Sequence, residues 1–398
     1  MSYLEKLLDD VEVKWKPLGE VGEFIRGNGL QKKDFTDEGF PAIHYGQIYT
    51  KYGLEATNTF VYVNHELAKK LKKAKNNDLL LATTSENDED VVKPLAWLGE
   101  EVAISGDMVL YRHKNDVKYL AHFFTSDSFK EQKRKFITGA KVRRVSKDNL
   151  AKILIPIPCP DNPEKSLGIQ AEIVRILDAF TAMTAALTAE LSMRKKQYNY
   201  YRDQLLSFGV GEVDWKVLGD VALIGTGKHD TKDAIEDGEY IFYARGREPL
   251  KLNTFNFDET AIITAGDGAG VGKVYHYAQG KYALHQRAYR IVPDKTLHPR
   301  FVYHYISAYF NDYIQKASVS SSVTSLRRPM FLKFPIPIPS FAEQNRIVEI
   351  LDKFDILTTS IQKGLPREIE LRQKQYEYYR DLLLSFPKPD KPTFKESA

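Results

Sequence analysis

A chain of 398 residues with 43% apolar and 28% charged side chains is too long for one ordinary core and too apolar for a disordered or fibrous polypeptide, so two or three globular domains are expected. One cysteine, Cys159, excludes intrachain disulfides and cysteine-based zinc sites, and no run approaches the roughly 20 apolar residues of a membrane span. The net charge of +4, from 57 basic and 53 acidic residues, gives only a weak pull toward an anionic partner; the opening residues carry no signal-peptide pattern, so a cytoplasmic protein is expected.

Residues 1–12 read as a helical stub, because Tyr3-Leu4-Glu5-Lys6-Leu7-Leu8 resembles Tyr201-Arg202-Asp203-Gln204-Leu205-Leu206 at the end of a long helix downstream. Residues 13–158 read as a mixed α/β module, with apolar segments such as Asp78-Leu79-Leu80-Leu81-Ala82-Thr83-Thr84 forming strands between Gly, Asn and Asp turns. Its distal part is basic: Lys130, Lys133, Arg134, Lys135, Lys141, Arg143, Arg144 and Lys147 face one acid, Glu131, a net +7. Proline has no N–H to donate, so Ile155-Pro156-Ile157-Pro158 is expected to stop hydrogen-bonded structure and give a stiff extended exit.

A linker and a long helix fill residues 159–212. Apolar side chains recur at Ile169, Ile173, Ile176, Phe180, Met183, Leu187 and Leu191, then at Tyr198, Tyr201, Leu205 and Phe208, with Arg194 in one position of the series. Steps of three and four put them on one helical stripe. About forty residues at 1.5 Å each make a rod of roughly 60 Å. Within it Thr181-Ala182-Met183-Thr184, Ala185-Ala186-Leu187-Thr188 and Ala189-Glu190-Leu191-Ser192 form a degenerate quartet pattern that reads as a length-setting element.

The second half repeats this order, with a module at 213–339, a helical stretch at 340–386 and a flexible tail at 387–398. Val13-Lys14-Trp15-Lys16-Pro17-Leu18-Gly19 matches Val213-Asp214-Trp215-Lys216-Val217-Leu218-Gly219. Ile155-Pro156-Ile157-Pro158 matches Ile336-Pro337-Ile338-Pro339, and Ile176-Leu177-Asp178-Ala179-Phe180 matches Ile350-Leu351-Asp352-Lys353-Phe354. Lys196-Gln197-Tyr198-Asn199-Tyr200-Tyr201-Arg202-Asp203 matches Lys374-Gln375-Tyr376-Glu377-Tyr378-Tyr379-Arg380-Asp381. The second stripe has three four-residue steps in a row, through Leu357, Ile361, Leu365 and Ile369, which predicts one extra quartet as a stutter; Pro366 is placed to kink or interrupt the rod. Two such stripes are best satisfied by packing on each other as an antiparallel coiled coil. The expected fold is therefore α+β, two globular modules separated by two long antiparallel helices in an internal pseudo-two-fold repeat.

This ordered, duplicated set of motifs, from Tyr3 to Phe386, resembles the specificity subunit of type I restriction-modification enzymes. The resemblance implies a non-catalytic, double-stranded DNA-binding subunit whose two target-recognition domains each read half of an asymmetric, bipartite target. It also implies partners: two adenine methyltransferase subunits docked on the helices, and motor-nuclease restriction subunits in the full complex. S-adenosylmethionine, ATP and Mg are then expected on those partners, with no cofactor in this chain.

Three clusters in each module offer DNA-reading chemistry, each against a plainer reading. Lys141, Arg143 and Arg144, with Arg327 and Arg328 in the comparable place of the second copy, can pair with phosphates or reach guanine O6 and N7; otherwise they are a solvated surface. His44, Tyr45, Gln47, Tyr49 and Lys51 face Tyr243, Arg245 and Arg247 in copy two, where glutamine suits adenine and arginine suits guanine; otherwise their tyrosines pack a core. Thr84 and Ser85, and in copy two His285, Gln286 and Arg287, lie on polar loops after strands or in ordinary turns. Gly266-Asp267-Gly268-Ala269-Gly270-Val271-Gly272-Lys273 fails the phosphate-loop spacing at Asp267 and Val274, leaving a turn in which Lys273 can approach a DNA backbone. No Asn-Pro-Pro-Tyr or Asp-Pro-Pro-Tyr stretch supplies a methyltransferase site. The alternatives are a stand-alone nuclease, which requires metal-dependent cleavage by the chain alone, and a coiled-coil scaffold indifferent to exchange of its modules.

Overall fold

The computed structural model describes residues 11–209, 211–317, 325–359 and 363–386. The stub expected at 1–12, but for its last two residues, and the tail at 387–398 lie outside them. The architecture is α+β, and the chain divides into two compact units, residues 1–186 with 369–398 and residues 187–368. Each globular module falls whole within one unit, while each helical stretch is shared between both.

In the first unit, Gly22–Arg26, Met108–His113, Leu79–Ala82, Lys93–Trp97 and Glu55–Ala56 form one five-stranded sheet. Phe35–Thr36, Val61–Val63, Phe40–Ile43, Val102–Ile104 and Lys73–Ala74 form another. The second unit has one six-stranded sheet in the order Ala222–Thr226, Ala288–Pro293, Phe257–Ala265, Tyr275–Leu284, Tyr240–Tyr243 and Leu250–Leu252. The shared plan is visible in the pairing. Phe40–Ile43 runs parallel to Val102–Ile104, and Tyr240–Tyr243 runs parallel to Tyr275–Leu284. The long strand Tyr275–Leu284 does the work that Lys93–Trp97 and Val102–Ile104 divide between two sheets.

The proline-rich exits are not free-standing. Leu154–Pro158 pairs antiparallel with Val13–Pro17, and Pro335–Ile338 pairs with Asp214–Val217. Prolines fall opposite Trp15 and Val13 in one clasp and opposite Trp215 and Val217 in the other. A pair containing proline cannot exchange two hydrogen bonds, so the ladder bonds run through Lys14–Ile157 and Lys16–Ile155, or Asp214–Ile338 and Lys216–Ile336. The expectation of a broken, unpaired exit is thereby corrected: alternate prolines cost the ladder nothing. Each module's first and last strands are hydrogen-bonded neighbours.

Pro163–Leu205 is one continuous helix of 43 residues. Asn162 caps it, its Oδ1 accepting from Lys165 N at 3.0 Å. By length and hydropathy alone this helix is apolar enough to cross a membrane, which corrects the expectation that no such run exists. Its apolarity comes from Ile176, Leu177, Phe180, Met183, Leu187 and Leu191 together with the alanines of the quartets, and its ends are tied into protein cores. The second stretch is two helices, Phe341–Thr359 and Leu365–Leu383. Pro366 lies in the first turn of the latter, where a missing N–H is tolerated. The extra quartet thus falls at a break rather than as a stutter in a continuous rod, and its Ile361 lies outside the described residues.

The repeated motifs of the helices are anchors. In the first unit Ile169, Ile173, Val174 and Leu177 share a core with Leu120 and Phe123 of Val117–Thr125, completed by Tyr376, Leu383, Leu384 and Phe386. In the second, Ile347, Val348 and Leu351 join Phe301, Val302 and Ile306 of Pro299–Ala317, completed by Leu206. Burying each such side chain contributes about 1.5–3 kcal/mol. Polar contacts fix the register. Asp178 Oδ1 lies 3.3 Å from Nε2 of the buried His122, whose Nδ1 lies 2.9 Å from Tyr376 Oη. Asp352 Oδ1 lies 2.7 Å from Nε2 of the buried His304 and also accepts from Arg300 at 2.7 Å. Gln170 and Gln344, both fully buried, accept from Asp116 N at 2.9 Å and His298 N at 2.6 Å. Phe180 stacks on Tyr379 at 5.1 Å and Phe354 on Tyr201 at 5.8 Å. Each unit is thus closed by the end of the helical stretch that follows the other module.

Candidate nucleic-acid interface

The two modules build one end of their sheets with the same backbone hydrogen bonds. In the first, Ser105 N donates to Ile43 O at 3.2 Å, Met108 N to Ser105 O at 3.1 Å, Thr83 N to Asp107 O at 3.3 Å, and Val145 N to Thr83 O at 3.4 Å. In the second, His285 N donates to Tyr243 O at 3.0 Å, Ala288 N to His285 O at 3.0 Å, Gly266 N to Arg287 O at 2.8 Å, and Leu326 N to Gly266 O at 2.7 Å. The bonds correspond one for one. They equate Ser105 with His285, Asp107 with Arg287, Thr83 with Gly266 and Val145 with Leu326. Thr84 is then equivalent to Asp267, Arg144 to Ser325, and Ser146 and Lys147 to Arg327 and Arg328.

The three sequence clusters therefore converge in each copy. In the first module an open cleft of about 460 Å³ is lined by Arg26, Thr83, Thr84, Asp107, Arg144, Ser146 and Lys147 among others. A second, of about 270 Å³, shares Arg26 and Asp107 and adds Gln31, His44 and Tyr45. Arg26 Nε donates to Gly106 O at 3.2 Å, fixing it beside the turn. In the second module a cleft of about 430 Å³ is lined by Arg245, Arg247 and Asp267 with the glycines between.

Not every candidate presents a free side chain to these clefts. Gln47 Oε1 accepts from His44 N at 2.9 Å and His44 Nδ1 accepts from Gly46 N at 3.2 Å, so both side chains cap the helix Tyr45–Thr50. Burial, and then Lys32, lower the His44 pKa and keep its ring able to accept. Tyr49 Oη donates to Ala82 O at 3.1 Å and Thr84 O at 2.9 Å, and burial raises its pKa. It holds the Thr84 loop rather than pointing outward. Ser85 pairs in a short ladder with Arg143, whose Nε lies 2.8 Å from Asp88. Lys51 and Lys141 are exposed beyond the clefts.

Tyr243 is buried against Tyr282 and His276 in the sheet core. His285 is buried, accepting from Arg287 N at 2.9 Å, and Gln286 donates to Asp230 Oδ2 at 3.0 Å. Arg245 and Arg287 both bind Asp267, at 2.8 and 2.9 Å. Burial alone would raise the Asp267 pKa, but these two hydrogen bonds hold it below the ordinary value. Arg247, Lys273, Arg327 and Arg328 are exposed. The match of Arg327 and Arg328 to Arg143 and Arg144 is corrected, since the second pair starts the helix Arg328–Leu332 after the buried Leu326, whereas the first pair precedes the buried Val145.

Sequence reasoning missed Arg26, Gln31, Asp107, Ser146 and Asp267. Asp107 could have been found by aligning Ala103-Ile104-Ser105-Gly106-Asp107 with Ala283-Leu284-His285-Gln286-Arg287. It also overcounted the basic run. Lys133 is buried, its Nζ donating to Glu89 O at 2.9 Å and Val91 O at 2.8 Å, and burial lowers its pKa to about 8. Among the described residues no group of three His, Cys, Asp or Glu side chains is placed to hold a metal.

Each module thus carries a loop-built, arginine-bearing end of its sheet, anchored to repeated helical motifs. Comparison with known proteins agrees. The model of the type I restriction modification DNA specificity domain matches residues 10–193 and 212–371. The chain is 39% identical to the type I restriction enzyme EcoR124I/EcoR124II specificity subunit of Escherichia coli, over 98% of each protein. It is 35% identical to the EcoprrI specificity subunit of the same species, over 91% of this chain and 92% of that one. The S subunit of a type I restriction-modification system from M. genitalium shares the fold with a TM-score of 0.61 at 14% identity, covering 98% of this chain and 100% of that one. A chain from a structure addressing complex assembly of the type I R-M system gives 0.60 at 15% identity, over 94% and 97%. The chain belongs to the family of type I restriction enzyme specificity subunits.

Proposed function

We propose that this chain is the DNA-reading subunit of a type I restriction-modification complex, each module reading one half of a bipartite, asymmetric target. The observation that carries the reading is the repeated four-segment end, where one backbone plan presents different side chains at equivalent positions, Asp107 against Arg287 and Thr84 against Asp267. A common scaffold with divergent tips suits two readers of unlike sequence. Exposed basic groups at the cleft rims and on the surface, such as Arg144, Lys147, Arg327 and Arg328, supply phosphate contacts and salt-dependent affinity, while Asp107, Arg245 and Arg287 address base edges in the major groove.

In this reading the two helical stretches pair antiparallel as a coiled coil between the readers and dock two methyltransferase subunits, with restriction subunits joining the full complex. The chain itself is non-catalytic. S-adenosylmethionine, ATP and Mg belong to the partners, which supply base flipping and cleavage. Co-purification with the methyltransferase subunit followed by mapping of methylated adenines tests the proposal. Methylation at one two-part motif with a fixed unread gap is expected; methylation without sequence preference, or cleavage by the purified chain alone, overturns it.

A further inference from the structure

The second reader carries a side-chain arrangement that the first lacks. Asp267 sits between arginines from two different loops, its Oδ1 accepting from Arg245 Nη1 at 2.8 Å and its Oδ2 from Arg287 Nη1 at 2.9 Å. Close backbone packing holds the three together. A Cβ on Gly266 would meet Arg287 O at 2.6 Å, and one on Gly270 would meet Arg245 O at 2.5 Å, so only glycine lets the turn wedge between the two arginine-bearing segments. Both segments are tethered, Arg287 N donating to the buried His285 ring at 2.9 Å and the His276 ring lying 3.0 Å from Gly246 O.

The chemistry of the trio favours a base edge over a phosphate. A carboxylate in the centre repels phosphate oxygens and leaves one net positive charge for two guanidiniums. Each guanidinium has five N–H donors, so one nitrogen spent on Asp267 leaves others to address acceptors. The arginine side chains are 41% and 62% exposed against 23% for the aspartate, which places donors outward and the organising acceptor beneath them. In the first reader the trio is not repeated, and an acid replaces one of its arginines in a cleft that also holds Arg26, Arg144 and Lys147. Thr84 stands at the position of Asp267 and Asp107 at that of Arg287, and Thr84 Oγ1 is buried without a hydrogen-bond partner among the described residues.

We propose that Asp267 is a specificity-positioning residue, locking Arg245 and Arg287 into one fork that takes a guanine through its major-groove N7 and O6, whereas at the equivalent step the first reader, through Asp107, takes a base presenting an amino donor. The inference rests on the reading of the modules as DNA readers, and arginine with guanine and aspartate with the cytosine amino group are the matching partners.

The test is selection of bound sites from a randomised duplex library by the full chain in complex with its methyltransferase subunit. Arg245→Gln, Arg287→Gln and Asp267→Asn are each expected to lower discrimination roughly tenfold or more at the same G·C pair of one half-site, leaving the other half-site unaltered. Asp267→Glu, which keeps the charge, is expected to retain part of that preference. Asp107→Asn is expected to relax one pair of the other half-site only. A half-site in which the three substitutions act on unrelated pairs, or an Asp267→Asn profile identical to the parent, overturns the fork; an unchanged profile for Asp107→Asn overturns the assignment of the first reader. Should Asp267→Asn fail to fold, the two arginine variants decide the matter by whether they converge on one pair. A parent complex that selects no two-part site at all overturns the reader assignment itself, an outcome distinct from those.

Discussion

Asp178 and Asp352 show how a single side chain in a repeat declares its job. Each follows the same Ile-Leu pair in its helix, and each meets a buried histidine of its module. Asp352→Ala leaves the buried His304 without its acceptor and removes one of the two carboxylates that Arg300 binds, and a loss of about 1–3 kcal/mol is expected in a denaturant melt. Burial alone would raise both aspartate pKa values, but the hydrogen bonds from His122 and Lys118, and from His304 and Arg300, hold them below the ordinary 3.8. A depressed carboxylate pKa stabilises the fold fully above 3.8, and the contribution is lost as pH falls through the lower folded-state values. Acid titration followed by circular dichroism should therefore show a shallower loss of stability below about pH 3.8 in the Asp178→Asn, Asp352→Asn double variant than in the parent; equal slopes would refute the assignment. The repeat marked these aspartates as paired positions without revealing their partners, because the histidines come from weakly matching segments about fifty residues away. The cleft residues were partly legible for the same reason. Arginines and histidines announce themselves by type, but whether Gln47 caps a helix or meets a base depends on a loop geometry that no local pattern encodes.

At the scale of elements, periodicity located the helices and missed the clasps. A stripe of threes and fours survives in one helix of 43 residues because no proline beyond Pro163 at its start and no positive-φ residue interrupts it. The second stripe was equally regular, yet Gly364 with φ of 126° and Pro366 divide it. Alternating isoleucine and proline looked like a structure breaker because its pairing partner lies some 140 residues earlier. The clasp makes opposite forecasts for adjacent residues. Ile157→Pro removes a ladder N–H and strands its acceptor, which is expected to cost about 1–3 kcal/mol, seen as faster proteolysis near residues 12–18 and a lower Tm. Pro156→Ala, off the ladder, is expected to change Tm far less. Similar effects from both would remove the clasp as an element of stability.

For the whole molecule, the order of modules and helices was legible because duplication supplies an internal comparison. The division into units was not. Cutting at 158, 212 and 339 follows composition, whereas the compact units cut through both helical stretches. The proposed readers and spacer give a direct forecast. Inserting one quartet after Ser192 adds roughly 6 Å of helix, against about 3.4 Å per base pair. Methylation mapping should then show the unread gap lengthened by about one or two pairs with both half-sites intact, and an unchanged gap would remove the ruler role from this helix.

The clasps have an evolutionary corollary. Because the first and last strands of a module lie side by side, about 4.8 Å apart, the helical frame experiences everything between them as a closed loop of fixed mouth. A sequence of any length or sheet arrangement can occupy that loop without moving the frame, and the chain already holds two unlike solutions, two five-stranded sheets in one loop and a single six-stranded sheet in the other. Exchange by recombination at the clasp strands transfers a finished domain whose boundary bonds are made by motifs common to both copies. If the modules read DNA as proposed, one genetic event then supplies a new reader while leaving the helical anchors unchanged.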